Sequence, residues 1–326
     1  MNPPPPRGLD LDRLRASTGK GVTPGTGGGA ALAAVPGVVA KERRVQSILA
    51  NIENLPSLPS VVMQTLRLAN DESAGANDFE EIIRQDQVLA ARVLKLVNSP
   101  FFALRRTVQS IPQAIVVLGL KSLKSVVLAA KTSRLLGGQL GPYGFVEGGL
   151  WQHSMSCATV ARSLAKSAGL SADAQEEMFV AGLLHDVGKL VLAPHAKEIQ
   201  KQAASLAGTA ELVSLEHDTI GMSHCEAGGR MARKWGLPDR LIDLIENHHV
   251  DPEAASVEVR IVQLANLHCN RAGIGLTTPP DVDASAEESL LHSLGLADRA
   301  EAICAEIERR LDELRPLLED MAKDSA

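Results

Sequence analysis

The sequence predicts an all-α fold, and three observations carry the prediction. From Lys41 onward apolar residues recur at steps of three and four, the spacing that lines one face of a helix. No stretch sustains the period-two alternation of a half-buried strand. The Gly, Pro and Ser breaks are short and fall between the periodic segments, where helix stops belong.

The elements follow in order. Residues 1–40 hold six Pro and eight Gly, including Pro3 to Pro6 and Gly27 to Gly29. Such a stretch buries too little apolar surface to offset its ordering entropy, so residues 1–41 are read as a disordered tail. Helices are expected at 60–69, 78–85 and 88–97. The third ends at Asn98-Ser99-Pro100, because a residue before proline resists helical geometry. Helices at 111–118 and 123–136 come next. A loop of Gly137, Gly138, Gly141, Pro142, Gly144, Gly148 and Gly149 separates them from helices near 151–168, 174–185, 221–235, 238–249, 257–272 and 287–320. The pattern reads as two helical lobes, 42–137 and 150–272, with a helical extension at 285–326.

Composition narrows the function classes. At 326 residues, 45% hydrophobic and 22% charged, the chain has an ordinary globular profile. Its net charge of −6 repels phosphate backbones on average. Nucleic-acid binding would need a local basic face, for which Arg105, Arg106, Lys121, Lys124 and Lys131 are the candidates; a solvated helix face is the simpler reading. No apolar run reaches the roughly 18 residues of a membrane span, so no membrane association is expected. Cys157, Cys225, Cys269 and Cys304 form no CxxC pair and read as buried thiols in a cytoplasmic, reducing compartment. The unusual entry is nine histidines against eight aromatic residues.

The histidines sort by helix face. His153 shares a stripe with Cys157, Val160 and Leu164, and His248 shares one with Leu241, Leu244 and Ile245, with His249 beside it. His185 and Asp186 end the apolar run 179–184, with Gly188 and Lys189 just beyond, and His224 opens a helix with Gly228 and Met231. Five imidazoles and one carboxylate therefore point inward. A hydrogen-bonded core histidine is the alternative for each one alone. Together they form a donor set for iron, manganese, zinc or magnesium, and a cation or Lys189 is the natural partner for a buried Asp186. His217-Asp218 is read as a helix-start cap, and His195, His268 and His292 show no partner pattern.

The order His153, then His185-Asp186-Val187-Gly188-Lys189, then Gly221-Met222-Ser223-His224, then His248-His249 resembles the HD phosphohydrolase superfamily, and especially its HDOD branch. Leu55-Pro56-Ser57-Leu58-Pro59, Ile83-Arg84-Gln85-Asp86, the segment from Val93 to Ser99, the segment from Ile115 to Leu120, and Trp235-Gly236-Leu237-Pro238 are similar to HDOD segments. The resemblance covers residues 45–272.

It implies a two-lobed helical HDOD fold with an HD-type second lobe. His153, His185 and Asp186 match the first metal ligands, with Asp186 as a bridge, and His224, His248 and His249 match the positions of a second ion. Lys189 matches a phosphate-facing lysine. Asp186 and Lys189 would carry the chemistry if the protein is active. The last ligand departs from the pattern, since the expected aspartate is Asn266, whose neutral amide weakens cation binding. His249 is followed by Val250-Asp251-Pro252-Glu253 and the chain's single Tyr is Tyr143, which disfavours the cyclic di-GMP hydrolysis of the related HD-GYP branch. The resemblance therefore implies a bacterial signal-transduction module acting on a protein partner, with a partly retained divalent-metal site. The alternative is a metal-dependent phosphohydrolase with a nucleotide or cyclic nucleotide as ligand.

Overall fold

The computed structural model describes residues 36–55, 64, 75–84, 86–102, 104, 106–138, 140–203, 205–280 and 284–323. The Pro/Gly stretch before residue 36 and the helix expected at 60–69 lie outside them, Gln64 apart. The chain divides into Met1–Val39 and a unit Ala40–Ala326. Among the described residues every regular element is helical, save one antiparallel bridge between Phe145 and Leu276.

The first four helices are α1 (Pro36–Asn54), α2 (Ala76–Arg84), α3 (Gln87–Val97) and α4 (Ile111–Leu136). Asp86 caps α3 by accepting from the Leu89 amide at 2.9 Å, and it pairs with Lys131 of α4. Asn98 ends α3, and its side chain exchanges hydrogen bonds with the backbone of Val108 at 2.7 and 2.8 Å. α4 breaks at Gly119, whose φ of 78° is the left-handed region that glycine enters without a Cβ clash. By length and composition α4 could cross a bilayer, although Lys121 and Lys124 interrupt its apolar residues and no unbroken run of that length is present. Half of its most apolar window is buried inside the fold, as suits a core helix.

After the glycine-rich loop come α5 (Gly149–Ser167), α6 (Ala172–Leu184), the short α7 (Lys189–Leu192) and α8 (Gln200–Ala203), α9 (Ala210–Thr219), α10 (His224–Lys234), α11 (Asp239–Asn247) and α12 (Val257–Arg271). α5 is the central helix, packed on α6, α12 and the last helix. The aliphatic core encloses the few aromatics: Trp151, Tyr143, Phe79 and Phe179 are each at most 1% exposed. The Trp151 indole donates to the Ala129 carbonyl at 3.3 Å, tying α5 to α4.

Three expectations are corrected here, the first being that α1 begins at Pro36, inside the stretch 1–41 read as a disordered tail. His217 and Asp218 lie in the last turn of α9, and the cap of α10 is Ser223, in a reciprocal capping box with Glu226. The expected helix at 287–320 is two, α13 (Ala284–Ser293) and α14 (Ala300–Lys323), parted by Gly295 with φ 68°. His268, which showed no partner pattern, donates from Nδ1 to Glu287 at 2.7 Å, and Arg271 pairs with the same carboxylate at 2.8 Å. This clasp holds α13 against α12.

Candidate metal centre

Asp186 is the point on which the helices from α5 to α12 converge. α5 supplies His153, the turn after α6 supplies His185 and Asp186, and α7 opens on Lys189. α10 opens on His224, His248 and His249 follow α11, and Asn266 lies in α12. His153, His185, Asp186 and His224 have no solvent exposure, and Lys189, His248 and Asn266 have 1%. Gly188 permits this convergence. A Cβ there would overlap the His224 carbonyl oxygen and stand 2.6 Å from the Gly228 nitrogen, so only glycine lets the Asp186 turn lie against α10.

The two oxygens of Asp186 face different sets of donors. Oδ1 is 3.4 Å from His224 Nε2 and 3.7 Å from His248 Nε2. Oδ2 is 3.3 Å from His185 Nε2 and 3.7 Å from His153 Nε2, and it accepts from Lys189 Nζ at 2.6 Å. Hydrogen-bond partners assign the tautomers. Nδ1 of His185 donates to the Gly182 carbonyl at 2.8 Å, that of His248 to the Ile245 carbonyl at 2.7 Å, and that of His224 to Glu216 at 2.7 Å. In the neutral form of each ring, Nε2 is then left with a lone pair. Those of His224 and His248 stand 3.2 Å apart, a repulsive placement that a cation or a proton relieves. Asp186 Oδ1, His185 Nε2 and His249 Nε2 are buried with no hydrogen-bond partner among the described residues. Imidazoles braced at the far nitrogen and aimed at a buried carboxylate fit a divalent cation.

The fit is one-sided. On the Oδ2 side the Lys189 ammonium already neutralises the carboxylate. Asn266 Oδ1 lies 3.1 Å from His153 Nε2, and it accepts from Asn270 at 2.6 Å. His153 Nδ1 has no partner among the described residues, so Nε2 carries the proton and donates to Asn266. That ring holds no lone pair toward the centre. All the residues expected at the site are thus together, but one half is arranged for a cation and the other for a lysine and an amide.

Charge states follow from this packing. Burial raises the Asp186 carboxyl, but His185 and Lys189 beside it outweigh this and hold the group well below the usual range. Burial takes His153 down to about 3. His224 is lowered by burial but raised further by Cys225 and Glu216, to about 10. Burial raises the Cys225 thiol, while the charges of His224 and His248 draw it down to about 6.

Three residues at the site were not read from the sequence. Glu216, fully buried in α9, accepts from the Tyr143 hydroxyl at 2.7 Å and from the His224 amide at 2.8 Å, besides bracing the ring. Its spacing of four from buried Leu212 was the available signal. Tyr143 and Phe145, in the glycine-rich loop, place their ring centres 5.7 and 5.6 Å from Lys189 Nζ, and Phe145 also faces His153. The loop is pinned there by the Val146 amide donating to Gly275 and the Thr277 amide donating to Gly144. Of the basic candidates, Lys121 pairs with Asp173 at 2.6 Å and Lys131 with Asp86; Arg105 lies outside the described residues.

An all-helical body that closes a His-Asp doublet together with imidazoles from neighbouring helices defines a protein of the HD type. The model of the HDOD domain matches residues 55–250, and the chain belongs to the HDOD family. An HDOD domain protein of unknown function from Geobacter sulfurreducens is 26% identical, with a TM-score of 0.67 over 87% of this chain and 99% of that one. An uncharacterized protein of Treponema pallidum is 28% identical over 64% of this chain, and Ribonuclease Y of Pseudothermotoga lettingae is 30% identical over 35% of it. The chain spans 40% and 17% of the lengths of these two relatives.

Proposed function

We propose that the chain is a bacterial signal-transduction HDOD module that works through protein contacts and keeps one divalent cation on the Oδ1 side of Asp186. The observation that carries this reading is the closure of the centre. A phosphate ester would have to reach atoms with no solvent exposure, past Tyr143 and Phe145, and the lysine that would face it is engaged with Asp186. A cation held there neutralises the carboxylate and links α6, α10 and α11; when bound where water can reach, such an ion would also lower the pKa of that water. Val116 and Val117 on α4, 86% and 52% exposed, support contact with a protein partner through the first lobe. The four free cysteines support a cytoplasmic setting. The test is metal-loaded protein assayed on a generic phosphodiester and on nucleotides, with no turnover expected. Turnover that disappears in His185→Ala and Asp186→Ala would overturn the proposal.

A second reading, a metal-dependent phosphohydrolase, is favoured by one observation. The two oxygens of Asp186 face separate imidazole pairs, as a carboxylate bridging two ions would, and the similarity to Ribonuclease Y adds to it. It requires displacement of Lys189 and opening of the loop, so Phe145→Ala would raise turnover if it holds.

A further inference from the structure

The segment that carries Glu216 and His224 is clasped from outside by α1. Arg44 of α1 donates to the Thr219 carbonyl and pairs with Glu198 at 2.9 Å. Thr219 closes α9, where the last carbonyls have no partner within their own helix and favour a positive charge. Lys234, the last residue of α10, returns the arrangement: it donates to the carbonyls of Ile52, at 2.9 Å, and of Glu53, in the last turn of α1. Between these two ends Gly221, with φ 101°, faces the helix, and a Cβ there would stand 2.8 Å from both Lys41 Cγ and Val45 Cγ2. Ile48 and Ile52 complete the seat, at 0% and 5% exposed. Resting on the reading that His224 serves a cation, we infer that α1 is a strap whose seating is coupled to cation binding, with Arg44 as its positioning residue.

The coupling runs through a short stretch of backbone. The amides of Ile220 and Gly221 donate to the Glu216 carbonyl at 2.7 and 3.1 Å, so the turn on which α1 sits is bonded to the residue that braces the His224 ring. The capping box of Ser223 with Glu226 then passes the position of that turn to the first residues of α10. Lifting α1 frees the turn, and the aim of His224 at Asp186 Oδ1, 3.4 Å away, loosens with it. Linkage is reciprocal: an ion on His224 holds α1 down, and a protein contact that draws α1 away weakens the ion. Charge alone predicts the opposite sign, because removing a positive side chain would favour a nearby cation.

The test is the full chain, reduced and stripped of metal, titrated with zinc by calorimetry, with backbone hydrogen exchange followed with and without the ion. Arg44→Ala and Lys234→Ala are each expected to bind zinc at least roughly fivefold more weakly. Arg44→Lys, which keeps a donor for Thr219, should recover most of the loss. In wild type, zinc should slow exchange of the α1 amides by a comparable factor; a purely structural role leaves their local opening indifferent to the ion. Should Arg44→Ala fail to fold, Lys234→Ala and the wild-type exchange decide. Undiminished zinc affinity in the alanine variants, or α1 amides that exchange alike with and without zinc, overturns the coupling and leaves the cation reading standing. Wild type that binds neither zinc nor manganese overturns both.

Discussion

Glu216 is the residue on which the proposed ion most depends without touching it. Its carboxylate fixes the His224 ring through Nδ1 and is itself fixed by Tyr143. Such a brace sets both the tautomer and the aim of a ligand, and its loss typically weakens metal affinity 10- to 100-fold. Glu216→Gln is expected to weaken divalent-cation binding by about that factor in calorimetric titration. Asn266 marks the opposite case. Asn266→Asp restores the charge missing beside His153, and the expected outcome is a rise from one to two bound ions per chain by elemental analysis. At this scale His153, His185, Asp186, His224 and His248 were legible, because inward faces can be counted from helical period. Glu216 was not, because a carboxylate on an apolar stripe has no meaning until the ring it braces is nearby.

Most helices were legible from their apolar stripe, but α1 (Pro36–Asn54) and α9 (Ala210–Thr219) were not among those expected. The break in the C-terminal extension was passed over, although Gly295 marks it, because Leu290, Leu291 and Leu296 continue the apolar register across the gap. Two contacts between elements are open to test. Gly188→Ala drives a methyl group into the backbone of α10 and is expected to cost about 1–3 kcal/mol in urea unfolding, with metal affinity falling as His224 shifts. The clasp between α12 and α13 rests on Glu287. Burial raises its carboxyl, but His268 and then Arg271 hold it below the ordinary 4.5. A carboxylate depressed in the folded state contributes stability above its unfolded value and loses it as pH falls through the folded one. Wild type should therefore lose more stability than Glu287→Gln on acidification below about pH 4.5, read by urea unfolding at each pH.

Across the whole molecule, a cation shared by α6, α10 and α11 binds the folded state alone and so adds to its stability. The divalent cation at 100 times its Kd should raise unfolding stability by about 2.7 kcal/mol, visible as a higher Tm that a chelator reverses. Phe145→Ala, which thins the cover over Lys189, should speed that removal. The all-α class and most of the donor set were present in the sequence, because helical period and residue chemistry are local properties. The closing of the glycine-rich loop over Lys189, the opposite surroundings of the two Asp186 oxygens, and the meeting of Cys225 with two imidazoles were not. Each arises from segments brought together by packing of the core, and the distances that separate a ligand from a spectator exist only once that packing is complete.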